Sequence, residues 1–212
     1  MVNQKRGRTP GRPRASEIQT PKKELILQVA SRLFLEHGFQ KVSIDDVAKT
    51  GGMTKATVYY YFESKAELFK ETMVAMLARV RERIRMLLES DKPLYDRLMD
   101  VAVAHLHATT SLDLDSFMRE SKSSLSDEQV QDMRLAEERM FESIETAFQD
   151  AIDKGEIPPV QAKFAAHAYN ALLRVGNYKS PEGTPLFPSA EETAGSILKL
   201  FWNGLMDGPL SL

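Results

Sequence analysis

The 212-residue sequence has no cysteine and a single tryptophan. Without thiols it has no disulfide staple, no thiolate zinc site, no cysteine nucleophile and no thiol redox sensor. It also lacks any run near the roughly 20 consecutive apolar residues that a membrane helix needs, and its basic N-terminus carries no apolar signal-peptide core. No membrane partner is therefore expected, and the cytoplasm is the expected location. Alternating strand patterns of useful length are missing too, so no sheet is expected. With 42% hydrophobic and 27% charged residues, the chain has the composition of a folded globular protein.

Its charge is distributed unevenly. Residues 1–70 hold 13 Lys and Arg against 7 Asp and Glu, whereas residues 71–212 hold 15 against 23. A basic front half suits a polyanion whose counterions are released on binding, and the acidic remainder would be repelled by the same partner. Contact with nucleic acid, if made, belongs near the N-terminus.

The length allows one large domain or a small and a medium one. Residues 1–19, rich in Arg, Lys, Gly and Pro, read as a flexible basic arm. From Thr20 onward the 3.6-residue period dominates. A first helix places Ile26, Val29, Ala30, Leu33 and Phe34 on one face, stops near Gly38 and takes Pro21 in its first turn. Four later segments open with a Ser that can accept from the third helical N–H, followed three residues on by an acid or amide: Ser43 with Asp46, Ser64 with Glu67, Ser126 with Gln129 and Ser189 with Glu192.

The segment 64–89 sets Leu68, Phe69, Met73, Met76, Leu77, Val80, Ile84 and Leu87 along one stripe and spans roughly 39 Å, long enough to connect two domains. Further helices are expected at 94–109, 112–122, 126–154, 159–175 and 189–206. The fold class is all-α, with an N-terminal three-helix unit at 20–66 and a larger helical domain at 67–212.

Residues 43–62, SIDDVAKTGGMTKATVYYYF, read as a short helix, a glycine-containing turn and a second short helix. Ile44, Val47 and Ala48 form one apolar face, Met53 fills the turn, and Val58 and Phe62 pair at i, i+4, so the unit can close against Leu33 and Phe34. Thr54, Lys55, Ala56 and Thr57 then open the second helix, the end that enters a major groove; Lys can meet guanine acceptors there, and Thr or Ala methyls can meet thymine. Tyr59, Tyr60 and Tyr61 offer hydroxyl donors to phosphate, and Lys65 adds a cation. Three consecutive helical residues span about 200°, so the tyrosines cannot all be core.

The run VSIDDVAKTGGMTKATVYYYFESKAELF resembles the signature of the TetR (tetracycline-repressor-like) family over about residues 22–70. The resemblance implies a homodimeric regulator of transcription that binds double-stranded operator DNA. It further implies that Ser43 contacts phosphate, that Thr54 to Thr57 probe bases, and that Tyr59, Tyr60, Tyr61 and Lys65 anchor the backbone. Two positions depart from the family pattern: Met53 follows Gly52 where Val is commoner, and Ala56 stands where Gly is frequent. Base preference is therefore not transferable. FMRESK at 117–122 and AIDKGEIPP at 151–159 resemble an AefR-like C-terminal subgroup, which implies a sensor domain of five or six helices that dimerises through its last two.

Within the arm, Gly11, Arg12 and Pro13 flanked by Arg14 resemble an AT-hook. This segment either enters a narrow A·T minor groove or adds nonspecific charge toward phosphate.

For a small-molecule effector, the architecture the resemblance implies points to His105, Phe117, Met118, Met140, Phe141, Ile144, Tyr169 and Leu173, side chains that either line a space between helices or pack as plain core. An apolar lining would favour a hydrophobic or aromatic ligand, leaving as the alternative a regulator answering to a protein partner or to its own abundance. The dimer is expected to form through Phe164, Ala168, Leu172, Ile197, Leu198, Phe201 and Leu205, with Trp202 as an anchor. His37, His105, His107 and His167 form no catalytic or metal-binding constellation; neither enzymatic activity nor a cofactor is expected.

Overall fold

The computed structural model describes residues 15–109 and 124–206. Arg12, Arg14, the expected helix at 112–122 and its Phe117 and Met118 lie outside the described residues. Within them the chain forms eight helices: α1 (Ala15–His37), α2 (Ile44–Thr50), α3 (Lys55–Tyr61), α4 (Lys65–Leu88), α5 (Leu94–Thr109), α6 (Asp127–Asp153), α7 (Ala162–Val175) and α8 (Ala190–Met206). An isolated antiparallel bridge between Lys179 and Pro185 shapes the loop before α8. The all-α class read from the periodicity is the observed class.

The serine starts are made as the spacing requires. The side chains of Ser43, Ser64 and Ser126 accept from the backbone N–H of Asp46, Glu67 and Gln129, and Ser189 Oγ accepts from Glu192. At Ser43 and Ser126 the third residue also reaches back, completing a reciprocal box. Each such cap satisfies helix N–H groups that have no intrahelical acceptor.

Helix α1 corrects the expected arm boundary, because it starts at Ala15 and carries Pro21 in its interior. The apolar period begins only at Ile26, so the turns before it carry no pattern to read. Pro21 has no N–H to return to the carbonyl four residues earlier, so that rung of the helix ladder is missing. Helix α7 likewise begins at Ala162, beyond Pro158 and Pro159.

Two apolar cores organise the fold. One gathers Ile26, Ala30, Phe34, Phe39, Val47, Val58, Phe62, Leu68, Phe69 and Met73, and it also takes in Met133 from α6. The other gathers α5 to α8 around Leu98, Phe148, Tyr169, Leu173 and Leu198. Helix α4 serves both, giving its first turns to one core and Leu88 to the other. The first core therefore runs past residue 66, the expected domain edge, because a continuous helix cannot end a core where a motif ends. Between its two buried ends the stripe thins, and Val80 is 40% exposed. The C-terminal end of α4 is tied down by buried Arg97 of α5, whose Nη1 donates to the Leu88 carbonyl at 2.9 Å. Its Nη2 lies 3.6 Å from the Glu156 carboxylate in the loop between α6 and α7.

Candidate nucleic-acid interface

Helices α1, α2 and α3 meet over an aromatic cluster. The Phe34 ring lies 6.0 Å from Phe39 and 5.1 Å from Phe69, and Phe39 and Phe69 meet edge-on at 4.9 Å. Phe39 and Phe69 belong to the turn after α1 and to α4, so the short motif by itself did not reveal this cluster. Against it α2 buries Ile44, Val47 and Ala48. The turn between α2 and α3 needs Gly52, whose φ of +63° lies in the left-handed region. At Gly51 a Cβ would stand 2.6 Å from Met53 Cε and 3.2 Å from the Val47 carbonyl. The departure at Met53 is thus accommodated: its side chain lies across the glycine turn, and its N–H donates to Ala48.

Helix α3 divides by face. Val58 and the capping Phe62 are buried, which leaves Lys55, Ala56, Tyr59 and Tyr60 outward. Tyr60 is 69% exposed and Tyr59 48%. Tyr61 is half-buried and stands edge-on to Tyr60 at 5.1 Å, so the three tyrosines are not equivalent. Thr54 caps the helix by accepting from the Thr57 N–H, and the two threonine hydroxyls share a hydrogen bond of 2.8 Å. That pairing holds both at the helix start with their methyl groups fixed.

Ser43 is exposed and already committed. Its Oγ donates to Asp46 Oδ2 at 2.6 Å, and the same carboxylate accepts from the Ser43 N–H, holding the Asp46 carboxyl below its ordinary range. Lys65 is half-buried, its Nζ donating to the Gln40 carbonyl at 3.2 Å and lying 4.3 Å from the Phe39 ring centre. Burial lowers its pKa. Two of its three N–H donors remain for other acceptors.

The residues expected to line an effector space fare differently. Phe141, Ile144, Tyr169 and Leu173 are buried together in the second core, with Met140 packed beside them. The Tyr169 hydroxyl donates to the Leu98 carbonyl, and burial pushes its pKa up. Among the described residues these positions come together as packing, the ordinary outcome for aromatic and Met stripes at helical spacing. His105 lies at the edge of that core, its pKa lowered by burial and by the Arg174 charge. The other histidines are dispersed: His107 meets Glu191 at 2.8 Å, His167 lies against Phe141, and His37 ends α1.

Of the eight residues expected at a dimer face, two are buried within this chain. Ile197 and Leu198 point into their own core, at 8% and 0% exposure. Phe201 packs on Phe148 and Tyr169, and Trp202 stands edge-on to Tyr95 at 5.2 Å, so the tryptophan anchors α8 to α5. Facing outward are Phe164, one of the expected residues, at 64%, and Leu200, which was not among them, at 68%. Between them runs an open apolar groove of about 460 Å³ that includes Ala168, Leu172, Gly204 and Leu205. Helical periodicity marks apolar stripes on both helices, but choosing between their two apolar faces required knowing which side α5 and α6 occupy.

Residues 26–72 match the model of the bacterial regulatory proteins, tetR family. The chain is 25% identical over 185 residues to the HTH-type transcriptional regulator YhgD of Bacillus subtilis (strain 168), covering 85% of this chain and 94% of that protein. A crystal structure of a TetR/AcrR-family regulator from Thermobifida fusca YX-ER1 shares 26% identity at a TM-score of 0.64, covering 87% of this chain and 98% of that one. The fold is also that of FadR from Bacillus subtilis, solved in complex with stearoyl-CoA: TM-score 0.67, 16% identity, coverage 85% and 98%. With the motif, the fold and these relatives in agreement, residues 26–72 are those of the tetR family of bacterial regulatory proteins, and the chain is a helix-turn-helix, DNA-binding transcriptional regulator.

Proposed function

We propose that this regulator acts as a homodimeric repressor, reading a near-palindromic operator through α3 and released by a small hydrophobic or aromatic effector. The observation that carries the reading is the division of α3. A core that buries Val58 and Phe62 leaves Lys55, Ala56, Tyr59 and Tyr60 as a projecting polar and aromatic face. Lys55 and the Thr54–Thr57 pair approach base edges, and the Tyr59 and Tyr60 hydroxyls donate to flanking phosphates. Tyr61, Lys65 and Ser43 shape that face and add secondary backbone contacts. The arm, through Arg12 and Arg14, extends the footprint along the adjacent minor groove.

Dimerisation through the exposed apolar face of α7 and α8 supplies the second reading head. Phe164, Leu172 and Leu200 become buried across the two-fold, and half-sites in successive major grooves follow from that symmetry. FadR, with the same fold, binds stearoyl-CoA, which supports an apolar effector held in the helical domain. Coupling of about 1–3 kcal/mol between effector and operator would alter affinity roughly 5–150-fold, sufficient for a switch. No catalysis enters this reading.

The test is selection of duplexes from a random pool with the purified chain, followed by a screen for compounds that release the selected duplex. Recovery of paired half-sites, with release by apolar compounds, is the expected result. Failure to enrich any sequence would overturn the recognition role assigned to α3, and selection with no releasing compound would favour control by a protein partner.

A further inference from the structure

Lysine is rarely buried unless paired, yet Lys70 in α4 has a side chain only 11% exposed. Its ammonium has three carboxylate partners, Glu71 at 2.8 Å, Glu67 at 2.9 Å and Asp132 at 3.4 Å. The network continues outward. Glu71 accepts from Lys23 of α1 at 3.1 Å, and the second oxygen of Glu67 accepts from Gln129 of α6 at 3.1 Å. Three helices are thus joined at one point, immediately beside Met133 of α6, which is buried in the core of the DNA-binding unit.

We propose that Lys70 is a positioning residue for DNA recognition: by holding Asp132 of α6 against Glu67 and Glu71 of α4, it sets how the DNA-binding unit sits on the helical domain, and hence the half-site separation the dimer reads. The inference rests on the paired-half-site reading given above. Lys70 stands five residues after Lys65, about 7.5 Å along α4, so a change at the joint is delivered almost directly to the helix that follows α3. The partners also differ in how easily they separate. Glu67 and Glu71 belong to the same helix as Lys70 and stay with it, whereas Asp132 makes the longest contact, lies on another helix and is 46% exposed. Asp132 is therefore the half of the joint that can let go.

Burial opposes the Lys70 charge, but hydrogen bonds to Glu71 and Glu67 outweigh it and raise its pKa, so the ammonium persists at neutral pH. Such an ion network adds little net stability compared with apolar packing of the same volume; what it contributes here is a distance-dependent tie between α4 and α6. Without the Lys70 charge, Glu67, Glu71 and Asp132 would face one another with only Lys23 nearby, and α6 would be pushed from α4.

The test is operator selection with duplexes whose half-site spacing varies base pair by base pair, applied to the full chain and to Lys70→Met, Asp132→Asn and Asp132→Glu. Thermal melting of each variant is followed in parallel. Expected are one preferred spacing for the wild type, about tenfold weaker binding at that spacing for Lys70→Met with gain of neighbouring spacings, and the same change to a smaller degree for Asp132→Asn. Asp132→Glu, which keeps the charge, should retain the wild-type preference. Since Asp132→Asn leaves the α4 and α1 pairs intact, it decides the matter should Lys70→Met not fold. Both removal variants weakening binding uniformly, with the wild-type spacing kept, would overturn the inference alone and leave Lys70 a purely structural group. A wild type that selects no paired half-sites would overturn the recognition reading and this inference together.

Discussion

The two outward faces of the molecule, that of α3 and that shared by α7 and α8, are both rich in large side chains, and they differ in what those side chains can do in water. On α3 the exposed rings belong to Tyr59 and Tyr60, which carry hydroxyls able to hydrogen-bond, on the same helix as exposed Lys55. On α7 and α8 the exposed groups are Phe164 and Leu200, which offer water no hydrogen bond. A face of the first kind is stable uncovered and ready for a polar partner, whereas a contiguous face of the second kind is characteristic of a protein surface that is covered in use. The difference separates the proposed reading head from the proposed assembly surface without reference to any relative.

That comparison can be broken or sharpened by substitution. The largest effect is expected for Phe69→Ala, which empties the centre of the aromatic cluster beneath α3; about 3–5 kcal/mol of stability should be lost, measured by chemical denaturation. Operator binding should disappear with it. Next, Leu200→Asp places a charge on the apolar face and should weaken self-association by about 2 kcal/mol or more while leaving the helical content intact. Sedimentation equilibrium with circular dichroism reads both, and an unchanged mass would reject α8 as the assembly surface.

Smaller effects are expected on α3 itself. Lys55→Ala should lower operator affinity by about 1–3 kcal/mol if it meets a base edge, whereas loss of a phosphate contact would reduce the salt slope by about 1 with little change in sequence preference. Tyr60→Phe should weaken binding without altering dimer mass or melting temperature. The finest distinction sets two reciprocally capped helices against each other. Ser43→Ala and Ser126→Ala should each cost about 1 kcal/mol of stability. Only Ser43→Ala should also weaken DNA binding, and equal affinities for the two variants would confine Ser43 to capping.

Much of the fold was legible locally. Apolar spacing marked the helices, and the serines at 43, 64, 126 and 189 marked their starts, because a capping hydrogen bond involves residues three apart. The turn through Gly52 and the buried pair Val58 and Phe62 were readable for the same reason. The early start of α1 was not, since the sequence before Ile26 carries no apolar period. Nor was the fate of Tyr169 and Leu173, whose periodicity is the same whether they line a space or fill it.

By itself, then, the sequence determined the helical class, the helix-turn-helix and the placement of positive charge in the first 70 residues, all consequences of short-range spacing and composition. Tertiary structure decided which apolar face of α8 turns inward, sending Ile197 and Leu198 into the core and Leu200 out. It also made Lys70 the meeting point of helices whose partners lie as far away as Asp132. Those outcomes depend on contacts between residues distant in the chain, and only packing determines which of them meet.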